Sequence, residues 1–194
     1  MKLIFATSND HKLKEVLSML PEGIEVVGMK EMGFTDDLPE TQDTIEGNSL
    51  QKAEHLATVL NGACFAEDTG LEVYALNGEP GVYSARYAGE KATFEDNVNK
   101  LLANMQGKAD RRARFKTVIT YFKEGKSVQF TGITEGRITD TRSGDKGFGY
   151  DPVFIPDGSN KTYAEMELAE KNLFSHRRKS FEGFANYLLK NTVL

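Results

Sequence analysis

The sequence predicts a mixed α/β fold, and three observations carry that prediction. Short apolar runs alternate with amphipathic helical stretches through the first half of the chain. Two long β-prone runs, Arg112 to Phe122 and Ser127 to Ile138, follow one another across Gly125, the pattern of an antiparallel ribbon. The length of 194 residues, 39% of them hydrophobic, is enough for a sizeable core within one domain spanning residues 1–194, without metal or disulfide staples.

Each element has its own signal. Lys2 to Thr7 reads as a buried strand, and Leu13, Val16, Leu17 and Leu20 then recur at helical spacing until Pro21. Ile24 to Gly28 is a second short strand. Asp36 to Gln42 is a polar loop containing Pro39. It leads to a helix from about Thr44 to Leu60 with Leu50, Ala53, Leu56, Ala57 and Leu60 as its apolar face. Cys64-Phe65-Ala66 reads as a strand that stops at Glu67-Asp68-Thr69-Gly70, and Leu71 to Leu76 as another, before a Gly/Pro loop through Gly89. Thr93 is placed to cap a helix facing inward through Phe94, Val98, Leu101, Leu102 and Met105. Gly144 to Tyr150 is a loop and Pro152 to Ile155 a strand. Thr162-x-x-Glu165 is a capping box for one helix, and Ser175 starts a last helix buried through Phe181, Phe184, Leu188 and Leu189.

Composition excludes several functions. With 24 basic against 29 acidic residues the net charge is −5, so an extended nucleic-acid surface, which releases counterions through many Lys and Arg, is not expected. The apolar opening Leu3-Ile4-Phe5-Ala6 is too short for a membrane span or a secretion signal. The single cysteine, Cys64, forms no internal disulfide or zinc cluster, which fits a reducing cytoplasm. His11, His55 and His176 lack metal-ligand spacing.

Six segments hold residues suited to chemistry, and each also has a plainer reading. Thr7-Ser8-Asn9-Asp10-His11-Lys12 joins a strand to a helix, where free N–H groups receive anions or where Ser8 or Asn9 simply caps. At Glu67-Asp68-Thr69-Gly70 a carboxylate is placed to hold Mg²⁺ or deprotonate water, unless the segment is an Asp-x-Gly turn. Adjacent acids on a strand point opposite ways, so one of the two is the functional one. Glu40 offers a second carboxylate, and Lys52 either reaches a phosphate or lies over the core. Gly78 through Tyr87 suits a packed loop, a phosphate contact or an interface favouring Tyr and Arg. In Gly147-Phe148-Gly149-Tyr150-Asp151-Pro152, Phe148 is free to face a flat ligand whose N–H Asp151 accepts. Lys171 and Ser175-His176-Arg177 gather donors suited to carbonyl oxygens, or to an ordinary helix start.

Taken in order, these segments resemble the ITP/XTP pyrophosphatase family nearly end to end. The resemblance rests on Thr7-x-Asn9-x-x-Lys12, the Glu40 loop with Asn48 and Lys52-Ala53, and Ala66-Glu67-Asp68-Thr69-Gly70-Leu71. It continues in Pro80-Gly81-Val82-Tyr83-Ser84-Ala85-Arg86-Tyr87, Phe148-Gly149-Tyr150-Asp151-Pro152, and Glu170-Lys171-Asn172 leading to Ser175-His176-Arg177. Many bacterial members have Asp-Asp-Ser-Gly at Glu67–Gly70, and Ser49 replaces a frequent Ala. The resemblance implies an elongated, twisted mixed sheet with flanking helices and two lobes around a nucleotide cleft. It also implies a homodimer and Mg²⁺-dependent cleavage of noncanonical purine nucleoside triphosphates (ITP, dITP, XTP) to monophosphate and pyrophosphate.

The same resemblance assigns roles to residues. Asp68 is the catalytic base or metal-linked acid, and Glu40 the second metal carboxylate. Thr7, Ser8, Asn9, Asp10, His11 and Lys12, with Lys52 and Thr69, belong to the phosphate end. Phe148, Gly149, Tyr150, Asp151, Lys171, His176 and Arg177 belong to the base, with Phe148 stacking on it. The alternatives are a pyrophosphatase for other modified nucleotides or a non-catalytic nucleotide sensor. The carboxylates at Glu40 and Asp68 count against the sensor, because binding alone does not need them.

Overall fold

The computed structural model describes residues 2–60 and 62–191. In chain order its elements are β1 (Lys2–Ala6), α1 (Asp10–Leu17), β2 (Glu25–Gly28), α2 (Ile45–Leu60), β3 (Cys64–Val73) and α3 (Phe94–Asn104). They continue with β4 (Arg112–Lys123), β5 (Lys126–Ile138), β6 (Phe154–Pro156), α4 (Leu168–Phe174) and α5 (His176–Asn191), with short 3₁₀ turns between. The strands form a six-stranded sheet in the order β2-β1-β3-β4-β5-β6. It is mixed: β1 pairs in parallel with β2 and β3, whereas β6 pairs antiparallel with β5. Glu124-Gly125 joins β4 to β5 with φ of 51° and 75°, the left-handed pair that a two-residue hairpin needs. The mixed α/β class expected from the sequence is the one observed.

The described residues pack as two compact units. The first takes the chain up to Asp68, Thr117–Gly132 and the stretch from Arg177 onward; the second takes Thr69–Lys116 and Ile133–His176. In the first unit Phe5 and Phe65, partners on adjacent parallel strands, stack at 4.5 Å. Phe181 and Phe184 of α5, Val16 of α1 and Ile119 of β4 close over them. A second cluster of small residues, Ala6, Ala53, Ala57, Cys64 and Ala66, packs with Met29 and Leu56 and brings α2 close to the sheet. The second unit is built on Leu71, Val98, Leu101, Met105, Phe115, Phe154 and Tyr163.

Some elements differ from the sequence-based expectation, for physical reasons. β3 does not stop at Glu67 but runs unbroken through Val73, so Glu67–Gly70 is strand and not a turn. Ion pairing of the buried acids, described below, removes the penalty that predicted a break there. Tyr74–Leu76 is a 3₁₀ turn closed by Asn77 in the left-handed region, not the end of a strand. The Thr162 box opens only a 3₁₀ turn, because Met166 is extended, and α4 starts afresh after Glu167. Asp151–Val153 is likewise a 3₁₀ turn ahead of β6. Phe94 and Leu189, expected inside, are 45% and 57% exposed: Phe94 is the first residue of its helix, and Leu189 lies at the margin of its helix's apolar stripe.

Candidate active site

In the first unit the parallel register fixes the site. Ile4, Phe5 and Ala6 of β1 sit opposite Cys64, Phe65 and Ala66 of β3, so the chain leaving β1 at Thr7 is level with Glu67 and Asp68. Carboxyl ends of parallel strands followed by a helix N-terminus are where α/β proteins place ligand groups. Asn9 is the cap of α1: its side-chain oxygen accepts from the backbone N–H groups of His11 at 3.0 Å and Lys12 at 3.2 Å. Thr7 Oγ1 accepts from Asn9 N and so stiffens the approach to the helix.

Asp68 lies on one side of β3, toward α2. The buried face of α2 carries Ile45, Asn48, Ser49, Lys52, Ala53 and Leu56, which puts a lysine among core residues. Lys52 Nζ donates to Asp68 Oδ1 at 2.8 Å and to Glu40 Oε1 at 2.5 Å. Burial works to lower the Lys52 pKa, but Asp68 and then Glu40 outweigh it, and it rises above the usual lysine value. Lys52 is therefore a fixed ammonium. Two carboxylates thus share one ammonium, the Asp68 side chain buried and the Glu40 side chain 32% exposed.

Glu67, the next residue back along the strand, turns the other way. Its carboxylate accepts from Arg177 at 2.7 and 2.9 Å and pairs with Lys12 at 3.1 Å. Arg177 also pairs with Glu15 of α1, and all three residues other than Lys12 are at most 5% exposed. Burial opposes the charge on Glu67, yet Arg177 and Lys12 prevail and hold its carboxyl well below the usual range. The pairing is balanced, two acids against two bases, which is what makes such burial tolerable.

The second unit presents a different chemistry. Asp151 Oδ2 accepts from Lys171 Nζ at 2.7 Å and from the Phe148 N–H at 2.9 Å, and both charged residues are 4% exposed. Gly147 has φ of 73°, and a side chain there would collide with the Asp151 carboxylate. Lys171 Nζ lies 5.2 Å from the centroids of the Phe148 and Tyr163 rings, within cation–π range. Phe148 itself is half-buried. His176 is buried and stacked on Phe115 at 4.7 Å.

The structure thus gathers Glu40, Lys52 and Asp68 into one group, Lys12 with Glu67 into another, and Phe148, Asp151 and Lys171 into a third. Other expected site residues lie elsewhere. Asp10 and His11 are exposed on α1, where Asp10 pairs with Lys30, and Ser8 is exposed ahead of the cap. Tyr150 is buried and its hydroxyl donates to Ser84 O, holding the turn at 81–86. Gly149, at φ of 62°, and half-buried Thr69 flank these groups. Arg177, expected among the base-reading donors, is 1% exposed and engaged by Glu67 and Glu15.

Sequence reasoning missed Glu15, whose partner Arg177 lies far along the chain, and the function of Ser49. The Ser49 hydroxyl, 0% exposed, bonds to Val118 O at 2.9 Å and lies 2.8 Å from Thr120 Oγ1, tying α2 to β4. No helix of the described residues is long and apolar enough to cross a membrane. Among the same residues no group of three or more His, Cys, Asp or Glu side chains is gathered to cage a metal.

The sequence matches the Ham1 family over residues 3–187. It is 50% identical to a dITP/XTP pyrophosphatase of Flavobacterium johnsoniae, covering 97% of this chain and 98% of that one. It is 47% identical to the protein of the same name from Porphyromonas gingivalis, covering 97% of each. Among solved structures, the Ham1 protein of Staphylococcus aureus superposes with a TM-score of 0.89 at 38% identity, over 99% of this chain and 100% of that one. A nucleoside-triphosphatase / dITP/XTP pyrophosphatase from Mycobacterium abscessus gives 0.77 at 36% identity, over 95% and 98%.

Proposed function

The chain belongs to the Ham1 family, and from that premise we propose that it hydrolyses noncanonical purine nucleoside triphosphates, ITP, dITP and XTP, to the monophosphate and pyrophosphate. The observation that carries the reading is Lys52 held between Glu40 and Asp68. A fixed ammonium flanked by two carboxylates suits a polyphosphate arriving with a divalent cation. Mg²⁺ keeps most of its waters and takes one or two protein carboxylates beside substrate phosphates, a demand that two carboxylates such as Glu40 and Asp68 meet. Glu40 and Asp68 would hold it. When bound it offsets phosphate charge and polarises a phosphoryl oxygen.

The chain's own residues do the remaining work. Asp68 accepts the proton of the attacking water, as a carboxylate anchored by Lys52. Lys52 and Lys12 neutralise phosphate oxygens, with Thr7, Asn9 and Thr69 at the phosphate end. Glu67, itself gripped by Arg177, holds Lys12 in place. At the purine, Phe148 stacks on the ring, flanked by Gly149, Tyr150 and His176. Lys171 donates to a 6-oxygen and Asp151 accepts an N1–H. Adenine offers the reverse pattern at both positions, and a buried pair left unmatched discriminates by orders of magnitude. The protein acts in the cytoplasm as a homodimer, and the exposed Tyr83 beside Arg86 has the Tyr/Arg character of interfaces. It forms no stable nucleic-acid complex.

The test is product analysis with ITP, XTP, GTP and ATP, with and without Mg²⁺. Monophosphate and pyrophosphate from ITP and XTP, only with metal, are expected. Diphosphate and free phosphate would overturn the bond assignment, and equal turnover of ATP would overturn the reading of Asp151 and Lys171. Light scattering after size exclusion reads the dimer.

A further inference from the structure

Glu40 is the one carboxylate of the proposed metal pair that lies in neither helix nor strand, so something else must hold it. The loop around it lies against α2 in a regular register. Glu40 meets Lys52, Thr41 meets Gln51 and Gln42 meets Asn48, the chain stepping backward along one helix face. Gln51 grips Thr41 twice: its Oε1 accepts from Thr41 N at 2.9 Å and its Nε2 donates to Thr41 Oγ1 at 2.8 Å. Asn48 Oδ1 accepts from Gln42 N at 2.9 Å. Asn48 is 0% exposed, and its side-chain oxygen is spent on the Gln42 backbone N–H, so a buried polar side chain is committed to holding this loop. Gly47 completes the fit, because a Cβ there would lie 2.8 Å from Gln42 Cβ and 3.0 Å from Thr44 Oγ1.

From this register we propose that Gln51 and Asn48, with Gly47 as the close-approach point, are positioning residues that set the Glu40 carboxylate for the divalent cation. The inference rests on the reading of Glu40 given above and adds residues that touch neither metal nor substrate. A loop that must present one oxygen beside Asp68 loses affinity when it wanders, even though its carboxylate remains.

Gln51→Ala removes both bonds to Thr41, and Gly47→Ala displaces the loop without altering any polar group. With a non-hydrolysable ITP analogue present, Mn²⁺ binding followed by electron paramagnetic resonance is expected to weaken by about tenfold or more in each variant. The Mg²⁺ concentration for half-maximal ITP turnover should rise in parallel, with kcat recovering at saturating metal. Amide exchange at Thr41 and Gln42 should quicken in both, a readout independent of metal and turnover. Glu40→Gln is the reference. If it loses Mn²⁺ affinity while both variants bind as wild type, positioning by α2 is overturned and the role of Glu40 stands. If Glu40→Gln itself binds Mn²⁺ normally, the metal reading of Glu40 falls and this inference with it.

Discussion

Asp68 is 6% exposed and shares a 2.8 Å hydrogen bond with Lys52, which keeps a second partner in Glu40. Asp68→Asn therefore removes the basic oxygen without stranding a buried ammonium. The expected result is a fall in kcat of at least ~100-fold with a melting midpoint near wild type, read by steady-state kinetics and circular dichroism. A folded, metal-loaded variant retaining most activity would take Asp68 out of the chemistry. Phe148 differs in kind, since its contribution lies in binding. Its half-buried ring lies 5.2 Å from the Lys171 ammonium, and Phe148→Ala should weaken a non-hydrolysable ITP analogue by about 1–3 kcal/mol. An unchanged Kd by calorimetry would reject stacking.

At the scale of the element, β3 separates two acids by the alternation of a strand. Asp68 faces Lys52, and Glu67 faces Arg177 and Lys12, so the two positions answer to different measurements. Glu67→Gln leaves the guanidinium and Lys12 without their shared counter-charge and should destabilise the fold by about 3–5 kcal/mol in urea titrations. Equal stability would mean that the pairing is not formed in solution. This division was half legible in the sequence. Helical spacing along α2 and strand alternation at Glu67-Asp68 are local patterns: they put Lys52 on the helix's apolar side and the two acids on opposite sides of the strand, while the choice of Asp68 came from the family resemblance. The partners of Arg177 were not legible, because Glu67 and Glu15 lie 110 and 162 residues away in the chain. Nothing local marks such pairs, so Arg177 looked like one more donor at a helix start. For the same reason the continuous strand through Gly70 was missed: a charged Glu67 argues for a break until its distant counter-ions are known.

For the whole molecule, that network joins the beginning, middle and end of the chain: Lys12 and Glu15 on α1, Glu67 on β3, Arg177 on α5. It lies within the first unit, behind the helix start and strand end that carry the proposed phosphate groups. Its charge state therefore contributes to stability in acid. The folded Glu67 carboxyl is held far below its ordinary value of 4.5, with burial opposing and Arg177 and Lys12 prevailing. Below 4.5 the unfolded chain takes up a proton that the folded chain refuses, so stability falls as pH falls through that range. Above it the contribution is complete and flat. Urea midpoints of the wild type and Glu67→Gln should thus differ by a constant amount from about pH 7 down to about pH 5. They should then approach one another as the wild-type carboxyl is driven toward the neutral state that glutamine imitates. Curves that stay parallel down to acid unfolding would show that Glu67 does not carry the acid sensitivity of the fold, and that other carboxylates set it.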